Sequence, residues 1–304
     1  MIFHDGFYYY CESRNDQRSI AIRRSRSIGE ISADDGVFVW HAPNSGPCSH
    51  AIWAPELHFI NGRWLIYFAA DDGRNESHRI WVLECRGEDP RGDYKLIGQV
   101  NTGSWAIDGT ILKLSGERMF FIWSGWPADK DGQQNLYIAP MHDPLTLAGE
   151  RTLLCSPDQP WERHAMPICE GPQILKRNSD LFVVYSASGS WTENYCLGLL
   201  HNSSDDVLNP KAWTKYGPVL QKTDEVWGVG HCSFVKSVCQ TEDWILFHSK
   251  SSKKHGWNDR DVHAQRFTWT SEGLPDFGKP RARGTPLIPQ PETTSSERVS
   301  SKAL

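Results

Sequence analysis

The 304-residue chain lacks any long apolar run; nothing approaches the ~18 residues that a membrane-crossing helix needs. It also lacks a basic tract. With a net charge of -5, it suits neither nucleic acid nor an anionic membrane as a partner. No secretory leader is legible, because Asp5 interrupts the first apolar residues. The expected compartment is therefore the cytoplasm, with secretion expected if further residues precede Met1. Eight cysteines stand at 11, 48, 85, 155, 169, 196, 232 and 239, and none forms a CxxC pair, so no zinc site is expected. Cys11, Cys85 and Cys196 fall in or at the end of strand-like runs, where a reduced thiol acts as a small hydrophobe. The acceptor patterns Asn75-Glu76-Ser77 and Asn202-Ser203-Ser204 would be glycosylated only in a secreted protein.

Helical periodicity is nearly absent, and strand-turn-strand units take its place. They read MIFHDGFYYYCES, APELHFINGRWLIYFAAD, IDGTILKLSGERMFFIWSG, CEGPQILKRNSDLFVVYSAS and GHCSFVKSVCQTEDWILFHS. Each has a strand, a short polar turn and a strand rich in aromatic or β-branched residues. The units recur at roughly 50 to 65 residues, a little above the ~40–50 of a four-stranded propeller blade. Five units predict an all-β, five-bladed β-propeller over residues 1–289, in preference to a β-sandwich. The last residues, 290–304, are polar and predict a disordered tail. The chain also carries 14 Trp and 12% aromatic residues, which suit pleated surfaces and can stack on sugar rings.

In a propeller the first strand of each blade lines the axis, so the starts of these strands converge. Those starts carry Glu56 in WAPEL, Asp108 in AIDGT, Glu170 in CEGPQ and His231 in GHCSF. Taken singly, each has a plain reading. Asp108-Gly109 is a turn, Glu170 caps a loop, His231 is a satisfied structural histidine and Glu56 is a hydrogen-bonding group. Taken jointly, they bring carboxylates and an imidazole to one pocket near Trp53 and Trp105. Two carboxyl groups in different protonation states are what glycoside hydrolysis needs. A neighbouring carboxylate can hold the acid protonated near neutral pH. Asp108 precedes the turn glycine Gly116 by eight residues. The matching point before Gly6 falls two or three positions ahead of Met1, so the first blade's axial residue is expected there.

These stretches, with YSASGSWTENYCLGLL, resemble the blades of glycoside hydrolase family 43, and most of all its α-L-arabinofuranosidase branch. The resemblance implies a five-bladed propeller and hydrolysis with inversion. It implies Glu170 as general acid and Asp108 as the group that tunes and orients it. It also implies a sugar contact from Arg260 (in RDVHAQ), Trp53 in the pocket wall and His231 holding an axial water or calcium; with the pocket reading above, Trp53, Trp105, His231 and Arg260 are the expected substrate-binding residues. No other cofactor is implied. The family's general base stands in an Ala-Asp-Pro segment before the first hairpin, which does not occur in this sequence; a chain starting at Met1 is therefore expected to be weakly active or inactive. The implied substrate is terminal arabinofuranose on arabinan or arabinoxylan fragments, handled by a monomer. The alternatives are a β-xylosidase on the same fold and a sugar-binding propeller without turnover. A fructosidase would pair the Glu84-Cys85 segment with an Arg-Asp-Pro motif, which does not occur.

Overall fold

The computed structural model describes residues 1–287. The tail expected at 290–304, and the domain end expected at 289, lie outside these residues. Five antiparallel sheets follow one another along the chain, as the repeat predicts. Blade one holds β1 (Ile2–His4), β2 (Phe7–Ser13), β3 (Ser19–Ser25) and β4 (Val37–His41). Blade two holds β5 (His50–Ile60), β6 (Arg63–Asp71), β7 (Arg79–Cys85) and β8 (Tyr94–Val100). Blade three holds β9 (Ala106–Lys113), β10 (Met119–Gly125), β11 (Asn135–Asp143) and β12 (Thr146–Leu147), with β13 (Thr152–Cys155) also pairing with β11. Blade four holds β14 (Cys169–Arg177), β15 (Asp180–Ala187), β16 (Cys196–Asn202) and β17 (Thr214–Leu220). Blade five holds β18 (Trp227–Lys236), β19 (Asp243–Lys250), β20 (Arg260–Trp269) and β21 (Pro275–Asp276). Among the described residues no helix is long and apolar enough to cross a membrane.

The hairpins start from local chemistry. Asp5 and Gly6 both have positive φ (+47° and +79°), as do Asn61 and Gly62 (+51° and +74°). Two consecutive positive φ values define the tight turn whose twist matches that of the flanking strands. The second strand of each blade then lies between neighbouring blades and is apolar on both faces. In β15, Phe182 and Val184 pack toward Ile245 and Phe247 of blade five, while Val183 and Tyr185 pack toward Ile122 and Ile138 of blade three. That alternation is the period of two of a strand. Phe182 is fully buried, so Phe182→Ala would cost about 3–5 kcal/mol.

The first strands gather at the centre, where β5 packs on β9, β9 on β14, β14 on β18 and β18 on β1. The ring closes between blades five and one. There Tyr8 donates to the Lys236 carbonyl at 2.8 Å, and Tyr8 and Ile28 pack with Trp244 and Leu246. Residues at the heads of these central strands therefore share one axial mouth.

Candidate active site

A backbone irregularity repeats at the mouth. Ala54, Asp108, Gly171 and His231 all adopt left-handed φ values, between +45° and +56°. The strand pairing slips beside each of them. Such bulges re-aim a side chain at the rim of a sheet. They also fix the register between blades: Ala54, not Glu56, is the residue that matches Asp108. Glu56 stands two residues further along, level with Thr110, Gln173 and Ser233. The expectation that Glu56 shares the level of Asp108 is corrected by this register. Two residues along a strand carry a side chain about 6–7 Å deeper on the same face.

The deeper level is a satisfied ring. Glu56 Oε1 accepts from the Thr110 hydroxyl at 2.6 Å, and Oε2 accepts from the Gln173 amide at 2.9 Å. His58 Nε2 lies 2.9 Å from Oε1. Burial pushes the Glu56 carboxyl up, but the His58 charge and these hydrogen bonds outweigh burial and hold it below its ordinary value. Ser233 accepts from the Met1 amino group at 2.7 Å in the same layer.

The upper level holds two carboxyl groups. Asp108 and Glu170 are both buried, on the adjacent central strands β9 and β14. Glu170 Oε1 accepts from the Tyr195 hydroxyl at 2.8 Å. Burial raises the Glu170 carboxyl to about 7, and the like charge of Asp108 adds to the rise. The Tyr195 hydrogen bond and the charges of His231 and Arg260 oppose it. Asp108 is also raised to about 7, again first by burial; the Gly171 amide opposes and the Glu56 charge reinforces. The arrangement therefore supplies a proton donor near neutral pH.

His231 and Arg260 lie with this pair. The His231 amide donates to Ser186 Oγ at 2.7 Å, and burial pushes its imidazole down. Gly171 is hemmed in by the same groups. A Cβ there would lie 3.2 Å from both His231 Nδ1 and Ser186 Oγ, at φ +55°, so the residue after Glu170 has reason to be glycine. Arg260 extends from the exposed start of β20, donates to the Ser190 carbonyl at 3.2 Å and acts electrostatically on both carboxyls. Trp257 is 58% exposed and donates to the Ser190 hydroxyl at 3.1 Å. Its ring meets that of Trp191 edge-on at 5.6 Å.

The two tryptophans expected in the wall are placed differently. Trp53 is half-buried and stacks on His78 at 4.1 Å. Trp105 is 4% exposed and stacks on Trp126 at 4.6 Å, so it backs the wall rather than forming its face. The sequence reading did not single out Tyr195, His248 or Trp257. His248 stacks on Tyr195 at 5.5 Å, and its buried Nδ1 has no hydrogen-bond partner among the described residues. The only signal for Tyr195 in the sequence is its place in the Tyr185–Leu200 stretch.

Residues 1–275 match the family model described as glycosyl hydrolases family 43. The chain is 32% identical over 297 residues to an α-L-arabinofuranosidase 43 of Humicola insolens, covering 93% of this chain and 61% of that protein. It is 33% identical over 258 residues to an extracellular exo-α-(1->5)-L-arabinofuranosidase of Streptomyces chartreusis, covering 82% of this chain and 78% of that one. A solved α-L-arabinofuranosidase from Lactobacillus brevis superposes with a TM-score of 0.88 at 32% identity, covering 93% of this chain and 94% of that one. The chain thus spans about three fifths of the Humicola insolens protein but nearly all of the Lactobacillus brevis structure.

Proposed function

The chain belongs to family 43 of the glycosyl hydrolases, and from that premise we propose that it releases terminal α-L-arabinofuranosyl residues from arabinan or arabinoxylan oligosaccharides. The observation that carries this reading is the buried Asp108–Glu170 pair, with Glu170 raised to about 7 and aimed by Tyr195. The likeness to arabinofuranosidases supports the choice of sugar.

In the reaction Glu170 gives its proton to the glycosidic oxygen. The bond from that oxygen to the anomeric carbon breaks, and its electron pair stays on the leaving oxygen. A water on the opposite face forms the new bond and loses a proton to a general base, so the configuration inverts. Inverting enzymes keep the two carboxyls ~6.5–9.5 Å apart to admit that water. Glu56 is unsuited to be the base, since its oxygens are engaged by Thr110 and Gln173 with His58 beside them. Asp5 lies in the hairpin turn at the far end of β1, with its side chain 87% exposed. We assign the base to the first-blade position that matches Asp108, which counts to a residue ahead of Met1.

Trp257 and Trp191 offer an apolar face at the mouth, next to Arg260, where the following sugar of an oligosaccharide can stack. Calcium takes six to eight oxygen ligands. Around His231 stand His248 and Arg260, and the Glu56 oxygens are engaged, so the described residues form no direct oxygen cage. Calcium at this axis would be held through water, and no step depends on it. The protein acts as a monomer in this reading.

The test is a side-by-side assay of an aryl α-L-arabinofuranoside and an aryl β-xyloside, using a chain that carries the first-blade segment. Preference for the arabinofuranoside is expected. Preference for the xyloside would overturn the sugar assignment, and binding without turnover of either would make the protein a sugar-binding propeller.

A further inference from the structure

Between blades three and four, in the core behind the head of β14, lies a closed cluster of Cys155, Glu162 and Cys169. These residues are 4%, 0% and 0% exposed. They come from three elements: the end of β13, the short turn Pro160–Glu162 and the first residue of β14. One donor atom from each lies within 4.8 Å of the others. The glycosidase reading uses none of them, and both cysteines are free thiols.

The distances discriminate between the uses such a cluster could have. The two sulfurs are 3.9 Å apart. A disulfide needs ~2.05 Å, so the pair would have to close by nearly half that separation. Two thiolates on one tetrahedral zinc, each at ~2.3 Å, are separated by about 3.8 Å. A thiolate and a carboxylate oxygen on the same ion, at ~2.3 and ~2.0 Å, are separated by about 3.5 Å. Cys169 Sγ lies 3.5 Å from Glu162 Oε1. Both of these edges of the triangle therefore have the lengths a tetrahedral zinc imposes, and the third, from Cys155 to the Glu162 carboxylate, is at most 4.8 Å.

The surroundings fit as well. Tyr185 donates to Glu162 Oε1 at 2.7 Å, and the Gln159 amide donates to Oε2 at 2.7 Å, which fixes the carboxylate. The Lys215 ammonium sits 3.0 Å from Glu162 and is also held by Asp158 and the Ser156 carbonyl. Within the buried cluster two thiolates and a carboxylate carry three negative charges, and zinc with the Lys215 ammonium carries three positive ones; Asp158, which also touches Lys215, is 62% exposed and solvated. A buried site with no net charge avoids the desolvation cost of an unpaired ion.

We propose that Cys155, Glu162 and Cys169 form a structural site for a thiophilic divalent cation, zinc above all. On binding, each thiol releases its proton to solvent and its sulfur donates an electron pair to the metal. Glu162 supplies the third ligand through Oε1, where the metal takes the place of the Lys215 contact while Lys215 stays on Oε2, and a water supplies the fourth. The ion ties the outer strand of blade three to the strand that begins with Cys169 and carries Glu170. The three ligands are spaced seven residues apart, so no short cysteine motif marks them.

The reduced full-length chain, given one equivalent of zinc chloride and then desalted, is expected to retain about one zinc per chain. X-ray absorption at the zinc edge should show two sulfur neighbours at ~2.3 Å and oxygen neighbours at ~2.0 Å. Cys155→Ser and Cys169→Ser should each weaken retention by at least about 100-fold, while Cys239→Ser, at an exposed thiol, leaves it unchanged. Loss of zinc from the parent chain on desalting, or a shell without sulfur, overturns the proposal. So does zinc that Cys239→Ser removes. Should the Cys155 or Cys169 variants not fold, the absorption spectrum of the parent chain decides alone. None of these readouts requires hydrolysis, so a failed glycosidase assignment and a failed metal site are told apart.

Discussion

Asp108 Oδ2 accepts a 3.0 Å hydrogen bond from the amide of Gly171, the residue that follows Glu170. The aspartate thus clamps the backbone that carries Glu170, the proposed acid, while its charge acts on that carboxyl through space. Substitution separates these two effects. Asp108→Asn keeps an oxygen for the Gly171 amide and removes the charge. The acid's pKa should fall, and the basic limb of the pH–rate profile should move to lower pH. Burial is the larger cause of the rise, so the limb should move only part of the way toward an ordinary carboxyl. Asp108→Ala loses the clamp as well and should lose far more kcat. An unmoved limb in Asp108→Asn would remove the tuning role.

Tyr195→Phe should act in the opposite direction. The hydroxyl donates to Glu170 and favours its charged form, so its loss should raise the acid's pKa and move the basic limb to higher pH. A hydrogen bond to a charged group contributes about 1.5–3 kcal/mol, which bounds the accompanying loss of aim at roughly 10- to 100-fold in rate. Paired pH profiles of Asp108→Asn and Tyr195→Phe check the signs together. A shift of both limbs in one direction would show that these residues do not act on Glu170 as described.

Glu170→Gln separates chemistry from stability. Hydrolysis of natural linkages should nearly vanish, while aryl glycosides with good leaving groups suffer less, because they need little protonation. Equal loss on both would make Glu170 structural. The same substitution should stabilise the fold at alkaline pH. The folded state holds the Glu170 proton up to about 7, whereas an unfolded glutamate releases it near ~4.3. Between those values the folded state binds more protons, so the parent loses stability as pH rises through the window. The urea midpoint of Glu170→Gln should exceed the parent's at pH 8 and approach it at pH 4.

Much of this was legible in the chain, and the gaps have physical causes. Asp108 and Glu170 could be found because each heads an apolar strand ahead of a polar turn. Glu56 was placed one level too high, because a string of letters does not show that Ala54 occupies the left-handed bulge. Trp105 reads like a wall residue by its neighbours, yet it is sealed behind Trp126. Tyr195 lies in a loop before β16, where no periodicity points to the axis. The Cys155, Glu162 and Cys169 cluster is assembled across a blade boundary, which spacing alone cannot announce.

Trp257→Ala should separate long substrates from short ones. The ring is exposed beside Arg260 and supported by Trp191, where we propose that the second sugar stacks. One aromatic contact contributes about 0.5–1.5 kcal/mol, or roughly two- to twelvefold in KM. That rise should appear on arabino-oligosaccharides and be absent on aryl arabinofuranosides, with kcat little changed. Equal effects on both substrates would place Trp257 outside the binding path.

The register of the bulges also locates the first-blade position that matches Asp108. His4 pairs with Phe7 across the first turn as Ile60 pairs with Arg63 and Arg177 with Asp180. Ala54 precedes Ile60 by six residues, and Gly171 precedes Arg177 by six. Six residues before His4 lies ahead of Met1. Asp5, in the hairpin turn, sits at the other end of the strand from that position. A version beginning at Met1 should fold, because the Asp5-Gly6 turn and β2 are in place, and should bind arabinose-containing oligosaccharides weakly. Extending it by an Ala-Asp-Pro strand should raise the rate by about the 10²–10⁴ that a positioned general base contributes. The same extension with Asn for that Asp should restore binding without restoring rate, which separates the carboxylate from the added strand. Azide should partly rescue the shorter chain by attacking from the open face and leave a glycosyl azide of inverted configuration. If the chain starting at Met1 already hydrolyses arabinofuranosides at an ordinary enzyme rate, the base lies elsewhere and this assignment fails.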